Sequence, residues 1–329
     1  MFEEASLKDW EIYWIYFCCI IVLIPVCVMI IDKSRGMFLA AYSFIFVATV
    51  PWNLTHGFSD VDDQIIWSEL SAEFLQVKKK ELSGSKEIYK GSRKCMYLMN
   101  HSTMADLFLI DIILESRTSY LARYGVILFC PLPMMVTLFT NSIWFFKRGG
   151  RGEDLEPFFQ FLDRNFNFLM TSRAHLGCFP EGHRSVKPYM LPLKTGMVRY
   201  AYERELLVQP IVAFGIENAM SEYTFRLDWT KGALIEYYSS DIIDPRDYKP
   251  DADSKVPKSD RNLQGFHKTV EKIINKSFEE NHAKVDPTNN REKYLRDGEE
   301  RDLYTNAPIG SKCAAMREYV TQKRRKKRH

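Results

Sequence analysis

The sequence predicts an α/β fold: a central mostly parallel or mixed sheet flanked by helices, preceded by an N-terminal membrane-embedded helical segment. Two observations predict it. From Arg93 onward short β-like runs alternate with helical stretches, the pattern of a sheet covered by helices. Ahead of them, Ile12 to Ile31 carries no charged residue, and twenty residues rising ~1.5 Å each match a hydrocarbon core of ~30 Å.

The N-terminal run has the marks of a membrane helix. Pro25 would kink it, which membrane helices tolerate. Trp10, Tyr13 and Trp14 stand at one end, where interfacial aromatics belong. Glu3, Glu4 and Asp9 offset Lys8, so the basic start of a secretory leader is missing. Met37 to Trp52 is a second uncharged run, short for a full crossing and better suited to a re-entrant or interfacial helix. A buried hairpin in a soluble core is the competing reading. Residues 1–57 are therefore expected to anchor the chain, and residues 58–92 to connect it, with a helix near Gln64 to Lys80.

The catalytic-type domain is expected over residues 93–285. Cys95 to Met99 reads as a strand, Thr103 to Glu115 as a helix and Ser142 to Lys147 as an aromatic strand. Asp154 to Asn165 is an amphipathic helix candidate, Leu176 to Phe179 a short strand, Thr195 to Glu205 a helix and Leu206 to Phe214 a buried strand. Tyr124 to Phe146 is almost uncharged and is interrupted by Pro131 and Pro133, which suggests a buried or membrane-facing helix before the strand. Asp244 to Asp260 is rich in proline and charge and reads as a loop. Arg261 to Asn281 places Leu263, Phe266, Val270 and Ile273 or Ile274 on one helical stripe. Residues 286–329 are expected to be a polar, basic, poorly ordered tail.

Composition excludes several classes. A net charge of +3 over 329 residues gives no global signal for nucleic acid. The seven cysteines are odd in number and form no C-x-x-C pair. Reduced, mostly buried thiols follow, with the globular part facing a reducing compartment. The last residues, Lys326-Lys327-Arg328-His329, form a K-K-x-x ending, a retrieval address for endoplasmic reticulum membrane proteins read from the cytosol. A polybasic patch for anionic lipids is the alternative, and both readings favour a cytosolic C-terminus.

Two motifs carry chemistry. Asn100-His101-Ser102-Thr103-Met104-Ala105-Asp106 places a histidine and a carboxylate at a strand-to-helix junction. A hydroxyl is a poor nucleophile near neutral pH and needs a base within hydrogen-bond reach. Histidine suits that task, and a carboxylate can hold one tautomer in place. Residues five apart on a continuous helix point about 140° apart, at ~100° each. The pair meets most easily if His101 precedes the helix and Asp106 lies in its first turn. The blander reading is a helix cap at Thr103 beside an ordinary turn histidine. Ser102 lacks a Gly-x-Ser-x-Gly elbow and is better read as a turn residue than a nucleophile. Phe179-Pro180-Glu181-Gly182-His183-Arg184-Ser185 is the second motif: a strand end, a Pro-Glu-Gly turn, and an arginine whose planar fork suits phosphate oxygens.

Together the motifs resemble the first and third sequence blocks of the 1-acylglycerol-3-phosphate acyltransferase family, N-H-x-x-x-x-D and F-P-E-G-T-R-S. Ser142-Ile143-Trp144-Phe145-Phe146-Lys147-Arg148 is similar to the intervening block G-x-x-F-I-x-R. Leu207-Val208-Gln209-Pro210-Ile211-Val212 matches the fourth, an apolar strand containing proline. The resemblance implies that His101 is the general base and Asp106 its orienting partner. It implies that Arg148 and Arg184 hold the acceptor phosphate, that Glu181 and Gly182 shape that site, and that Pro210 lies near the acyl or acceptor channel. Lys194 and Gly196 are similar to the family's lysine-glycine segment and would add positive charge for phosphate or coenzyme A. Two positions depart from the pattern: His183 replaces threonine and Ser142 replaces glycine. The implied reaction moves a fatty acyl group from acyl-CoA to the free hydroxyl of a lysophospholipid, with 1-acyl-sn-glycerol-3-phosphate first and lysocardiolipin or lysophosphatidylinositol as alternatives. It requires no metal and no cofactor beyond acyl-CoA as donor substrate. Its partners would be those substrates and membrane lipids. A lipid or thioester hydrolase is the reading from a different reaction class.

Overall fold

The computed structural model describes residues 23–33, 36, 68–69, 72–73, 75–103, 105–115, 118–126, 141–146, 154–167, 175–219 and 232–294. Seven strands form one sheet: β1 Val77–Glu81, β2 Cys95–Met99, β3 Thr118–Arg123, β4 Ile143–Phe146, β5 His175–Cys178, β6 Leu207–Phe214 and β7 Ala233–Ser239. Their spatial order is β1-β7-β6-β2-β5-β3-β4. The five strands from β6 to β4 run parallel, while β7 runs antiparallel to β6 and carries β1 parallel to itself. The sheet is therefore mixed, with a parallel core.

Among the described residues, the α-helices from Asp106 onward are α1 Asp106–Leu109, α2 Asp111–Leu114, α3 Glu156–Phe166, α4 Thr195–Glu203, α5 Ile216–Ala219 and α6 Leu263–His282. Alternation in the central strands feeds two cores. Met96 and Leu98 of β2 pack with Val208, Val212 and Phe214 of β6 under α3, α4 and α6. Cys95, Tyr97 and Met99 pack with Leu207, Ile211 and Ala213 against α1 and α2. A strand covered on both faces reads as an unbroken apolar run, as C-M-Y-L-M does here, fully buried. Helix α6 begins where Asn262 accepts a hydrogen bond from Gly265 N at 2.9 Å, a side-chain N-cap.

Several elements differ from the sequence reading. The expected helix from Gln64 to Lys80 ends before Val77. Gln76 adopts a positive φ of 52°, which stops a helix, and Val77–Glu81 becomes an edge strand with its lysines outward. Lysine on an exposed edge discourages pairing with other chains. The expected helix over Thr103 to Glu115 resolves into α1 and α2, and Glu115 ends α2 in the left-handed region. Strands β3 and β7 were not expected. The chain also does not leave the domain at Pro287. Residues 283–294 fold back as a strap: Asp286 N and Asn289 Nδ2 both donate to the fully buried Glu236 of β7, at 2.7 and 3.0 Å. Gly215 has a φ of +93°, and a Cβ there would strike the Leu234 carbonyl and the Asn289 amide.

Pro210 sits in a strand with neighbours on both sides, where its missing N–H should break a ladder. Val208 pairs with Ile243, and Ser240 N donates to Pro210 O at 2.9 Å. The regular β6–β7 pairing starts only at Ile211. The missing donor thus falls opposite the bulge at Ser240 and Asp241, where no ladder bond is lost.

Among the described residues no helix is long and apolar enough to cross a membrane. Residues 23–31 are helical and leave Leu23, Ile24, Val26, Ile30 and Ile31 exposed. The rest of the expected first span, all of Met37 to Trp52, and the uncharged stretch at residues 127–140 lie outside the described residues. So do the basic C-terminal residues.

Candidate active site

The site forms at the C-terminal rim of the central parallel strands, where α/β sheets place their ligand crevices. Strand β2 ends at Met99, and the chain turns outward into the His101 loop. Asn100 fastens that turn: its side chain exchanges two hydrogen bonds, both 2.8 Å, with the backbone N and O of Ala213 on β6. The side chain thereby stands in for a ladder residue while the backbone of β2 departs.

Asp106 organises the loop. Its Oδ2 accepts from His101 Nδ1 at 2.6 Å, Ser102 N at 2.6 Å and Thr103 N at 3.1 Å. Asp106 is the first residue of α1, and His101 lies before it, as the helix-geometry argument requires. Thr103 takes a turn role rather than a full cap, accepting from Ala105 N at 3.1 Å. The carboxylate fixes the proton of the imidazole on Nδ1 and leaves Nε2 as the ring's proton acceptor. Phe179 stacks on the ring at 4.2 Å between centroids and 16° between planes, removing its remaining freedom. Asp106 is fully buried, whereas the His101 side chain is 19% exposed. The dyad is thus anchored inside and open outside.

The second motif closes on the first. Glu181 accepts His101 N at 3.0 Å through Oε1 and Leu191 N at 2.9 Å through Oε2. Ser185 N donates to His101 O at 2.7 Å. Both backbone groups of His101 are therefore held by the Phe179–Ser185 turn, and Arg184, half-buried, is brought beside it. Gly182 has a φ of +68°, the left-handed turn that favours glycine. The methylenes of Lys194 pass 3.5 and 3.7 Å from where a Gly182 Cβ would stand, and Lys194 N donates to Pro180 O at 2.8 Å.

Burial pushes the Glu181 carboxyl up to about 7; the N–H bonds from Leu191 and His101 and the charge of Arg291 oppose the rise, and Asp106 adds to it. Only the ionised form offers an acceptor oxygen to each N–H. The support under His101 should therefore weaken as pH falls through about 7. For stability the sign is the opposite. The folded state holds this proton more tightly than the unfolded chain, so the contribution is full below about 4.5 and is lost as pH rises through 7. Glu181→Gln turns one acceptor into an NH2 that faces an N–H donor. An orphaned buried group costs about 1–3 kcal/mol, so a lowered Tm and a kcat loss of about tenfold or more are expected. Thermal melts and steady-state rates of the same preparation check this.

Not every predicted residue joins the site. His101, Asp106, Glu181, Gly182, Arg184 and Lys194 gather at the rim. Arg148 lies outside the described residues. Pro210 pairs with Leu98, three residues down the sheet from His101 and so ~10 Å below the rim at ~3.3 Å per residue. It is buried within the sheet. Gly196 opens α4 with open space around it. Two rim residues escaped the sequence reading. Arg123, at the end of β3, donates from Nη2 to Gly182 O at 3.1 Å. Lys187 is buried, with Nζ donating to Tyr189 OH at 2.9 Å. The signal for Arg123 was a lone cation closing a short strand. Cys178 is buried just before the turn, and burial pushes its thiol far above the ordinary range, so it is no nucleophile.

Residues 76–213 match the family model described as Acyltransferase. The fold is similar to the crystal structure of the 1-acyl-sn-glycerophosphate (LPA) acyltransferase PlsC from Thermotoga maritima, with a TM-score of 0.54 and 17% identity. That match covers 77% of this chain and 98% of PlsC; at this identity it speaks for the fold. The seven-stranded sheet with a buried carboxylate–histidine dyad at its rim is the domain of an acyltransferase. The matched stretch contains the His101 and Phe179–Ser185 motifs, which resemble those of the 1-acylglycerol-3-phosphate acyltransferases.

Proposed function

We propose that the chain is a membrane-bound, acyl-CoA-dependent O-acyltransferase that esterifies the free hydroxyl of a lysophospholipid, with 1-acyl-sn-glycerol-3-phosphate as first acceptor. The observation that carries this reading is the His101–Asp106 pair, braced by the loop that presents Arg184. His101 Nε2 takes the acceptor's hydroxyl proton as the oxygen attacks the thioester carbonyl. The tetrahedral intermediate collapses with loss of coenzyme A thiolate, and the imidazolium returns its proton to the sulfur. The thioester is already activated, so His101 needs only to match proton transfer to attack. Arg184, Arg123 and Lys194 converge on the Gly182 turn and supply cations for an acceptor phosphate, with Arg148 proposed as a further one. Acyl chains on both substrates make a membrane anchor physically apt. The charge-free runs of residues 1–57 support that placement.

Labelled oleoyl-CoA offered with a panel of lysolipids tests the reading. Labelled diacyl product is expected, with lysophosphatidate preferred over lysocardiolipin and lysophosphatidylinositol. Labelled free fatty acid without diacyl product would make the chain a hydrolase instead. Arg184→Ala should raise KM for the phosphate-bearing acceptor about tenfold or more, since a charge-assisted hydrogen bond contributes roughly 1.5–3 kcal/mol. Unchanged acceptor kinetics would remove Arg184 from that role.

A further inference from the structure

Arg291 lies well past the end of the family match at residue 213, on the strap that follows α6. It is 2% exposed. Its guanidinium spends its donors on four groups. Nε pairs with Glu217 Oε1 at 2.9 Å, and Nη2 donates to Ser102 Oγ at 2.8 Å and to Ala213 O at 3.5 Å. Nη1 donates to Ser185 O at 3.3 Å. Its own backbone N–H is received by His282 Nε2 at 2.9 Å, and Phe214 and Phe278 lie against the guanidinium at 5.7 and 5.4 Å.

Two of those contacts fall on the two motif loops. Ser102 follows His101 and donates its N–H to Asp106; Ser185 follows Arg184 and donates its N–H to His101 O. Traced round, the bonds close a ring: Asp106 to Ser102, Ser102 to Arg291, Arg291 to Ser185, Ser185 to His101, and His101 back to Asp106. Only a planar fork reaches both loops and a carboxylate at once; a lysine ammonium cannot. The strap is itself fixed, by Asn289 and Asp286 on Glu236 and by Asn218 Nδ2 on Asn289 and Thr288.

We propose that Arg291 is a positioning residue for acyl transfer, its guanidinium closing the hydrogen-bonded ring that holds the His101–Asp106 dyad in register with the Arg184 loop. The proposal rests on the acyltransferase reading for its reaction, though not for its geometry. A plain core ion pair would satisfy Glu217 and touch neither loop.

Removing Arg291 alone leaves Glu217 buried and unpaired, which destabilises strongly. The test therefore uses the full chain with two changes that keep buried charge balanced: Ser102→Ala, which cuts the ring and spares the ion pair, and Arg291→Met with Glu217→Leu. Each is expected to lower kcat about tenfold or more, with KM for oleoyl-CoA and lysophosphatidate within about twofold. Ser102→Ala should fold with a melting temperature lowered by less than that of the paired variant, because Arg291 keeps Glu217, Ser185 O and Ala213 O. Combined in one chain, the two changes should cost no more than the larger alone, because both open the same ring. Unchanged kcat in folded Ser102→Ala, or multiplying losses in the combined chain, overturns the proposal. If the paired variant does not fold, Ser102→Ala decides alone. Should the wild type release fatty acid rather than diacyl product, the transfer reading fails. The same comparison of hydrolysis rates then still judges the ring.

Discussion

Asp106→Asn is expected to lower kcat by about 10³- to 10⁴-fold while leaving the fold intact, the scale seen when the orienting carboxylate of a histidine base becomes an amide. The two side chains have nearly the same volume, so the buried cavity is still filled. The charge is what changes. One oxygen of Asp106 accepts from the imidazole and from two backbone N–H groups, all of which bind an anion better than an amide oxygen. With asparagine the imidazolium formed during proton transfer loses its counter-charge. An amide that flips would present NH2 to Nδ1 and hold the ring in the wrong tautomer. KM for either substrate should change little, because Asp106 is fully buried and does not face the solvent side. Steady-state rates over both substrates check this, and a kcat within tenfold of wild type would remove Asp106 from the orienting role.

The parts of this molecule that sequence made legible share a physical cause. Strands β2, β5 and β6 are short runs buried along their length, and the two motifs are the turns that follow β2 and β5. Helices α3, α4 and α6 carry an apolar stripe toward the sheet. Where reading failed, a local cue pointed the wrong way. Val77–Glu81 is V-K-K-K-E, which has helical composition but lies at an edge where only one side is paired. Strand β3 opens with Thr118 and Ser119, both buried, and Ser119 Oγ donates to Asn141 O at 2.6 Å. Polar residues satisfied by distant backbone look like loop in a linear text. Strand β7 is broken by Glu236, which is fully buried because Lys80 and the strap supply its donors.

The strap is the clearest case. Asp286-Pro287-Thr288-Asn289-Asn290-Arg291 has the composition of a loose tail. Its order comes from partners 50 to 189 positions away. Two signals pointed to it: a carboxylate inside an apolar strand, at Glu236, and another just after β6, at Glu217. Buried charges need partners, and the donors had to come from somewhere. In the same way, the motif singled out Pro210 without showing how a central strand accommodates it: its missing N–H falls at a bulge.

The account depends on His101 being the base that takes the acceptor's proton. General-base catalysis contributes about 10²- to 10⁴-fold, so His101→Ala should reduce transfer by that amount or more. The change removes a partly exposed ring stacked on Phe179 and leaves the bonds from Glu181 and Ser185 to the His101 backbone in place. The loop and the cations proposed for the acceptor phosphate should therefore stay where they are, and acceptor binding should survive. The direct measurement is a single-turnover experiment: labelled oleoyl-CoA is bound first, saturating lysophosphatidate is added, and labelled phosphatidate is followed in wild type and in His101→Ala at equal acceptor occupancy. The account predicts rapid product in wild type and a rate at least about a hundredfold lower in the variant. Product formed by His101→Ala within tenfold of the wild-type rate would contradict it.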